Sequence, residues 1–261
     1  MISYRAMDTR PRQQIMTLIL IALTFGSGAT DVAAFSRLGG VFTSVMTGNI
    51  VFWGLAAAER SVSLASHSAV AIAGYVTGVV GGTWVAHGFK VHGNGKPDRA
   101  DRAGVLPAHV RWALFTELIL LAGLAAGWEA TGARPAGWAE FVLLAVTAAA
   151  MGVQASAVNE LGLSNISTTF LTGTLTGLVS SLARPGQDTP HGTRRFGVLI
   201  GLAAGAGLCG LLVATAPRVV PVLPLAAVIT ALVLSAVPLS NGESERNGEG
   251  KRDGEGERPG R

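Results

Sequence analysis

Two short stretches of the chain place hydroxyl, amide and glycine residues inside otherwise apolar sequence. They read F-T-S-V-M-T-G-N over residues 42–49 and S-T-T-F-L-T-G-T over residues 167–174. A shift of 125 positions aligns three identities, which are Thr43 with Thr168, Thr47 with Thr172 and Gly48 with Gly173. Where a helix breaks at membrane depth, its freed backbone groups need partners or line water. Together with the polar side chains, such groups could replace part of a small solute's hydration shell.

This duplicated motif defines a set of candidate pathway residues in the two halves of the chain. Its members, with two polar residues from the preceding apolar runs, are Asp31, Thr43, Thr47, Gly48, Asn49, Gln154, Thr168, Thr172, Gly173 and Thr174. An internal duplication in a membrane protein is typical of pseudo-symmetric transporters and channels. The alternative is that Thr and Gly only allow close helix packing and hydrogen-bond their own helices.

Asp31 is the acidic residue well inside the first apolar run, near the predicted outer end of that run. An intramembrane carboxylate is costly, so it usually faces a cavity or a partner. Either Asp31 couples transport to protons or cations, or contacts the solute, or it hydrogen-bonds the adjacent broken segment or pairs with Arg37. Gln154 is expected at the matching place in the second half. Glu117 is expected at the membrane interface or paired with Arg111, with a relay role as the alternative.

The composition indicates a helical membrane protein. Hydrophobic residues make up 49% of the chain, charged residues make up 14%, and the mean hydropathy is +0.45. Soluble proteins usually contain about 25% charged residues. The apolar runs are continuous and lack the alternation of a β-barrel. The net charge of +4 comes from loops, where it indicates topology, so no nucleic-acid partner is expected. The single Cys209 is expected to be a packing residue.

The apolar runs predict the spans and the domain organisation. Six predicted spans cover residues 15–35, 67–89, 112–130, 140–159, 196–215 and 219–238. A shorter motif segment follows the first span of each half, at 41–58 and 166–183. The predicted regions are a cytoplasmic N-terminus at 1–14, a first repeat at 15–130, a second repeat at 139–238 and a disordered polar tail at 239–261. An interfacial aromatic belt is predicted from Trp84, Trp112, Trp128 and Trp138.

The positive charges favour motif segments that enter and leave the membrane on the same side. With six crossings, the 11 inside basic residues are Arg5, Arg10, Arg12, Lys90, Lys96, Arg99, Arg102, Arg111, Arg184, Arg194 and Arg195. The 4 outside ones are Arg37, Arg60, Arg134 and Arg218. With eight crossings the two counts become 8 and 7, which gives no bias. Six crossings also give each half three spans, and the halves are therefore inverted relative to one another.

Glycines recur at intervals of four within several of the predicted spans. The two main sets are Gly74, Gly78 and Gly82 in the first half and Gly201 and Gly205 in the second. Small residues at this spacing let two helix backbones approach closely, so the sets predict packing seams. The pair Gly123 and Gly127 is expected to act in the same way.

The motifs also carry a family resemblance. The stretch Gly28-Ala29-Thr30-Asp31, then V-F-T-S-V-M-T-G-N, and later M-G-V-Q-A and T-T-F-L-T-G-T-L, resembles the YoaK family of bacterial inner-membrane proteins. The resemblance covers roughly residues 15–238, and the tail departs from it. It implies an integral membrane location and no established activity, although some members are labelled small-molecule transporters.

The sequence therefore predicts an all-α polytopic membrane protein with about six transmembrane helices plus two re-entrant or broken segments, in an inverted internal repeat. The predicted function is transport of a small polar solute or ion, as a channel or a carrier, at the interface of the repeats. The alternatives are a membrane scaffold or regulatory protein and a membrane-embedded enzyme. No catalytic residue, cofactor or metal site is predicted, because the histidines lack ligand spacing and no nucleophile motif is present. The expected partners are the lipid bilayer and the solute, with both termini on the cytoplasmic side of the bacterial inner membrane.

Overall fold

The computed structural model describes residues 10–92, 105–161, 171–182 and 192–237, and within these ranges the chain is helical without strands. The helices are α1 (Arg10–Arg37), α2 (Met46–Glu59), α3 (Val62–His92), α4 (Ala108–Ala130), α5 (Trp138–Glu160), α6 (Leu171–Leu182), α7 (Gly192–Thr215) and α8 (Val222–Ser235), with a short 3-10 helix at Pro217–Val219. The all-α membrane fold class is thereby confirmed. Most of the predicted N-terminal region 1–14 and the tail 239–261 lie outside the described residues.

Six of these helices are long and apolar enough to cross a membrane. Their candidate spans are Pro11–Arg37, Val62–Gly88, Ala108–Ala130, Trp138–Glu160, Arg194–Thr215 and Pro217–Ser235. Each corresponds to one span predicted from the apolar runs, because a bilayer core requires about 20 consecutive apolar residues. The two motif segments instead form helices of 14 and 12 residues, α2 and α6. α2 is too short to cross the bilayer alone, and both ends of α6 adjoin residues outside the described ranges.

Left-handed residues and glycines set the turns between the helices. α2 ends at Arg60, whose φ is 54° and whose N–H bonds the carbonyl of Ala56, so α3 can begin two residues later. Gly132, Ala133 and Gly137 also have positive φ, at 62°, 62° and 61°, between α4 and α5. Reversal within such short connections makes the flanking helices neighbours.

α1 and α5 are the central helices of the bundle, and each packs mainly on helices of the other half. α1 contacts α7 and α8, whereas α5 contacts α3 and α4. α1 and α5 also touch each other, and α4 contacts α8 and α3. The short helices lie at the side, α2 on α3 and α6 on α7. The core, which includes Leu20, Leu23 and Leu144, therefore joins the two halves of the sequence.

Glycines lie where the central helices approach their partners. A Cβ on Gly78 would overlap the backbone carbonyl of Ala149, and one on Gly205 would overlap that of Phe25. Cβ atoms on Gly74 and Gly201 would lie 2.7 Å and 2.9 Å from the carbonyl oxygens of Ala145 and Ile21, respectively. Gly82, another predicted seam residue, faces the hydroxyl of Ser156. Of the pair Gly123 and Gly127, the prediction is wrong for Gly123, where a Cβ would meet nothing within 4 Å, whereas a Cβ on Gly127 would lie 2.5 Å from Cδ2 of Leu143.

The tryptophans divide between the surface and the core. Trp84, Trp112 and Trp138 are exposed near helix ends, as an interfacial belt requires. Trp128 is fully buried, and its indole Nε1–H donates a 2.8 Å hydrogen bond to the carbonyl of Pro217. The belt prediction is therefore wrong for Trp128, whose one polar atom is satisfied inside the bundle.

Candidate functional site

The connection between α1 and α2 folds back against α1 and is held there by Asp31. Oδ1 of Asp31 accepts hydrogen bonds from Thr43 N–H at 2.8 Å, Thr43 Oγ1 at 3.0 Å and Ser44 N–H at 2.8 Å. Oδ2 accepts a fourth bond from Ser44 Oγ at 2.6 Å. All three side chains are buried. Four donors satisfy the carboxylate, and the carboxylate satisfies two backbone N–H groups where the helix is broken.

Asn49 secures the same connection from the first turns of α2. Its Nδ2 donates to the carbonyl of Phe42 at 2.6 Å, and its Oδ1 accepts from Phe42 N–H at 2.9 Å. The Asn49 side chain is completely buried, and the Phe42 ring stacks against those of Phe35 and Phe52. The non-helical backbone beside α1 therefore has hydrogen-bond partners despite its burial.

Asp31 belongs to a buried polar row on α1. Thr24, Ser27 and Asp31 follow each other at intervals of three and four residues, so they lie on one helix face. Gln154 on α5 donates from Nε2 to Ser27 Oγ at 2.8 Å. Asp31 lies six residues before the end of α1, which corresponds to about 9 Å along the helix. The polar row thus runs along α1 from the α1–α2 connection to the place where α1 meets α5.

The first motif divides between the network and the surface. Thr43 and Asn49 are buried and hydrogen-bonded, whereas the side chain of Thr47 is exposed. Gly48 is half-buried, with its Cβ position 3.1 Å from the Phe42 ring. Gln154 bonds α1 and makes no contact with the α1–α2 connection through the hydrogen bonds that are described.

The second motif is described only from its α6 helix onward. Thr168 lies outside the described residues, and for Thr172 the backbone alone is described. Gly173 is exposed and a Cβ there would meet nothing within 4 Å, whereas Thr174 is buried. The main partner of α6 is α7, and that of α2 is α3.

Two residues outside the predicted site set prove important. Ser44 supplies two of the four bonds to Asp31, although its sequence position beside Thr43 gave no separate signal. Glu117 is fully buried and its carboxyl oxygens have no hydrogen-bond partner among the described residues. The expectation that Glu117 lies at the interface or pairs with Arg111 is therefore wrong. Of the alternatives for Asp31, the structure shows its hydrogen bonds to the adjacent connection and no pairing with Arg37. Arg37 instead donates to the carbonyl of Val213 at 3.3 Å.

One end of the bundle is fastened by His67 of α3. Its Nδ1 lies 2.7 Å from the carbonyl oxygen of Ser63, which can only accept, so Nδ1 carries a proton. Its Nε2 lies 3.3 Å from Oε1 of Glu140 on α5, and its ring stacks on that of Phe141. Gly39 in the α1–α2 connection contacts the same ring so closely that a Cβ would overlap it. The cluster fixes this connection, α3 and α5 to one another.

The chain matches a described protein family and a relative of known sequence. Residues 19–236 match the family described as "Protein of unknown function (DUF1275)". A relative in Bacillus subtilis (strain 168) named "UPF0700 transmembrane protein YoaK" is 32% identical over 166 residues. That match covers 64% of this chain and 66% of the relative, just under two thirds of the relative's length. No solved structure matches the chain.

Proposed function

Because the chain belongs to the DUF1275 family of multi-pass membrane proteins, we propose that it moves a small polar solute or ion across the bacterial inner membrane. The pathway runs along the interface of two inverted repeats and past the start of α2. The observation that carries the proposal is the buried, non-helical connection held by Asp31. Non-helical backbone at membrane depth is tolerated where it is buried in protein or lines a cavity, and it recurs at transporter binding sites.

Glycine contacts that are exchanged between the halves support the inverted repeat. On α1, Gly28 faces the carbonyl of Leu202 on α7, and on α5, Gly152 faces the carbonyl of Tyr75 on α3. A shift of 124 positions carries Gly28 to Gly152, and a shift of 127 carries Tyr75 to Leu202. Each half thus contributes the same helix and the same contact to the other half.

A second pair of contacts obeys the same two shifts. Gly78 on α3 faces the carbonyl of Ala149, and Gly205 on α7 faces that of Phe25. The shift of 127 carries Gly78 to Gly205, and the shift of 124 carries Phe25 to Ala149. Two independent contact pairs with identical shifts favour a pseudo-twofold relation over chance.

If the halves are inverted repeats, the contacts between α1 and α5 lie on the pseudo-twofold axis. Ser27 accepts from Gln154, and Thr30 Oγ1 lies 3.2 Å from Sδ of Met151. The shift of 124 carries Ser27 to Met151 and Thr30 to Gln154, so the two contacts are images of each other. For inverted repeats this axis lies in the membrane plane. On this arrangement Asp31, one residue beyond Thr30, would lie near the midplane, where transporters of this plan bind substrates, and not near the outer end of the span as the sequence predicted.

Under the shift of 124 positions, the counterpart of Asp31 differs from the one that the sequence motifs suggested. Gln154 corresponds to Thr30, and the residue that corresponds to Asp31 is Ala155. Among the described residues, the carboxylate network is found in the first half, and the corresponding connection of the second half lies outside the described residues. This asymmetry suits a carrier in which one broken segment binds or gates and the other supports.

Burial of the network means that a solute reaches it only after a helix moves. Thr43, Ser44 and Asn49 are all buried. α2 is the element suited to this movement, because it packs mainly on α3 and exposes apolar residues such as Val51 and Trp53 on its other side. Displacement of α2 would open the connection between α1 and α2 to water.

Thiol accessibility tests the pathway. We expect Ser44→Cys, in a Cys209→Ala background, to react with a small water-soluble thiol reagent in intact membranes. Leu20→Cys is the matched control, because Leu20 is equally buried on α1 but lies in the apolar core. Equal inertness of the two cysteines would make the motif a dry packing seam. The scaffold function would then replace transport.

The orientation is tested separately with reporters. We expect a reporter fused after Lys96 to be cytoplasmic, on the same side as one fused at residue 190. The charge distribution predicts this, and an even number of crossings, such as six, would leave the two termini on one side. A periplasmic signal at Lys96 would contradict both the orientation and the re-entry of the motif segments.

A further inference from the structure

Glu117 is a carboxyl group in the interior of a candidate span that nothing in the described structure pairs. It lies on α4 (Ala108–Ala130), nine residues after the first, and is completely buried. Neither Oε1 nor Oε2 has a hydrogen-bond partner among the residues that are described. Buried polar groups are nearly always hydrogen-bonded, so an exception requires an explanation.

The packing of α4 on α5 gives the depth of Glu117. At one end, His109 Nε2 lies 3.8 Å from Oε2 of Glu160. At the other end, a Cβ on Gly127 would lie 2.5 Å from Cδ2 of Leu143. Interpolation between these antiparallel contacts places Glu117 level with Gly152 and Val153 of α5. Glu117 thus lies at the level of the pseudo-twofold axis and of the Ser27–Gln154 hydrogen bond.

The two carboxyl groups at this depth have opposite surroundings. Asp31 receives four hydrogen bonds, which stabilise an ionised carboxylate. Glu117 receives none among the described residues, and an ionised carboxylate in that position would cost several times the thermal energy. The surroundings of Glu117 therefore favour the neutral acid over the carboxylate.

Among the described side chains of the helices packed on α4, none provides a charged partner for Glu117. Over the described side chains of α5, the titratable residues are Glu140 and Glu160, near the two ends. On α3 over residues 62–88 they are His67 and His87 towards the ends and Tyr75 in the middle, and α8 has none over Val222–Ser235. On α4 itself, His109, Arg111 and Glu129 lie near its ends.

We propose that Glu117 is a proton-binding site that couples opening of the bundle to the proton gradient. The inference rests on the proposed transport function and deepens it. The O–H bond of the acid persists while the bundle is closed. It breaks when opening brings water to the carboxyl, and the proton passes to water on the open side. A metal cation is the less suitable ligand, because it requires several converging oxygens and Glu117 has no oxygen within hydrogen-bond distance among the described residues.

Infrared spectroscopy of the purified protein tests the protonation state without any substrate. We expect the spectrum to contain the carbonyl stretching band of a protonated carboxylic acid in an apolar setting. This band should be absent from the spectrum of Glu117→Gln. Glu129→Gln, an exposed carboxyl on the same helix, is the matched control and should leave the band unchanged. Glutamine has the size and neutrality of the protonated acid, so the variant is expected to fold. A spectrum with no such band, or one unchanged by Glu117→Gln, overturns the proposal.

A second experiment tests the coupling. The rate at which Ser44→Cys reacts with a thiol reagent is measured from mildly acidic to mildly alkaline pH, with and without Glu117→Gln. The ratio of the two rates removes the pH dependence of the thiol itself. We expect this ratio to rise several-fold with pH, because deprotonation of Glu117 favours the open, hydrated state. If Ser44→Cys reacts in both backgrounds but the ratio does not change with pH, the coupling is overturned and the pathway remains intact. If Ser44→Cys reacts in neither background, the pathway itself is contradicted.

Discussion

Gly78→Ala is expected to destabilise the protein strongly, whereas Gly81→Ala on the same helix is expected to stabilise it slightly. At Gly78 the new methyl group would overlap the backbone of Ala149, which cannot rotate away as a side chain can. Separating the two helices costs about 1–3 kcal/mol or more. At Gly81 the methyl group meets nothing within 4 Å, so the gain in helix propensity remains, up to about 1 kcal/mol.

The midpoint of thermal unfolding in detergent measures both effects. Gly205→Ala and Gly207→Ala form an equivalent pair on α7, since the first contacts the Phe25 carbonyl and the second meets nothing. Shifts of the same sign for Gly78→Ala and Gly81→Ala would contradict the close approach of α3 and α5. If Gly78→Ala and Gly205→Ala differ greatly in effect, the two seams are not equivalent, and the inverted repeat loses its main support.

Asp31→Ala is expected to abolish the folded connection between α1 and α2, whereas Asp31→Asn is expected to be nearly tolerated. Alanine leaves two buried N–H groups and two hydroxyls of Thr43 and Ser44 without their acceptor, at about 1–3 kcal/mol for each unsatisfied group. Asparagine keeps Oδ1, which accepts three of the four bonds. Its amide nitrogen can donate to Ser44 Oγ, which accepts as well as donates.

Thermal stability, protein yield in membranes and solute uptake in vesicles distinguish these outcomes. Replacement of the exposed Glu129 by Ala controls for the loss of a carboxylate. Should Asp31→Asn fold normally but lose pH-dependent uptake, Asp31 has a coupling function and the hydrogen bonds are secondary. Equal stability of the alanine and asparagine variants would show that the network contributes little.

The spans could be predicted from sequence because bilayer thickness dictates the length of an apolar run. The predicted span 112–130 and the observed Ala108–Ala130 agree at one end and differ by one helical turn at the other. That single turn matters, because it moves Glu117 from an apparent interfacial position into the interior. The polar residues His109 and Arg111 obscured the start of α4, although they are compatible with a helix end near the membrane surface.

The arrangement of the site could not be predicted, because hydropathy says nothing about which donors meet which acceptors. Asp31 and Glu117 are both acidic residues within apolar runs. The difference is that the chain returns twelve residues after Asp31 and presents Thr43 and Ser44 to it. The burial of Trp128 depends in the same way on the distant Pro217 carbonyl, which only the folded bundle brings to it.

The position of α1 has a consequence for the order in which the protein assembles during synthesis. α1 is made first, yet its main partners α7 and α8 are made last. Until then, Thr24, whose hydroxyl lies beside Gly201 of α7, and the rest of that side of α1 lack the α7–α8 surface that covers them in the folded bundle. Because polar groups are costly in lipid, we expect α1 to stay bound to the insertion machinery or to a chaperone during this period. In ribosome-bound chains truncated before residue 192, α1 should therefore be sensitive to protease or available for crosslinking. This state should disappear once the complete chain is released.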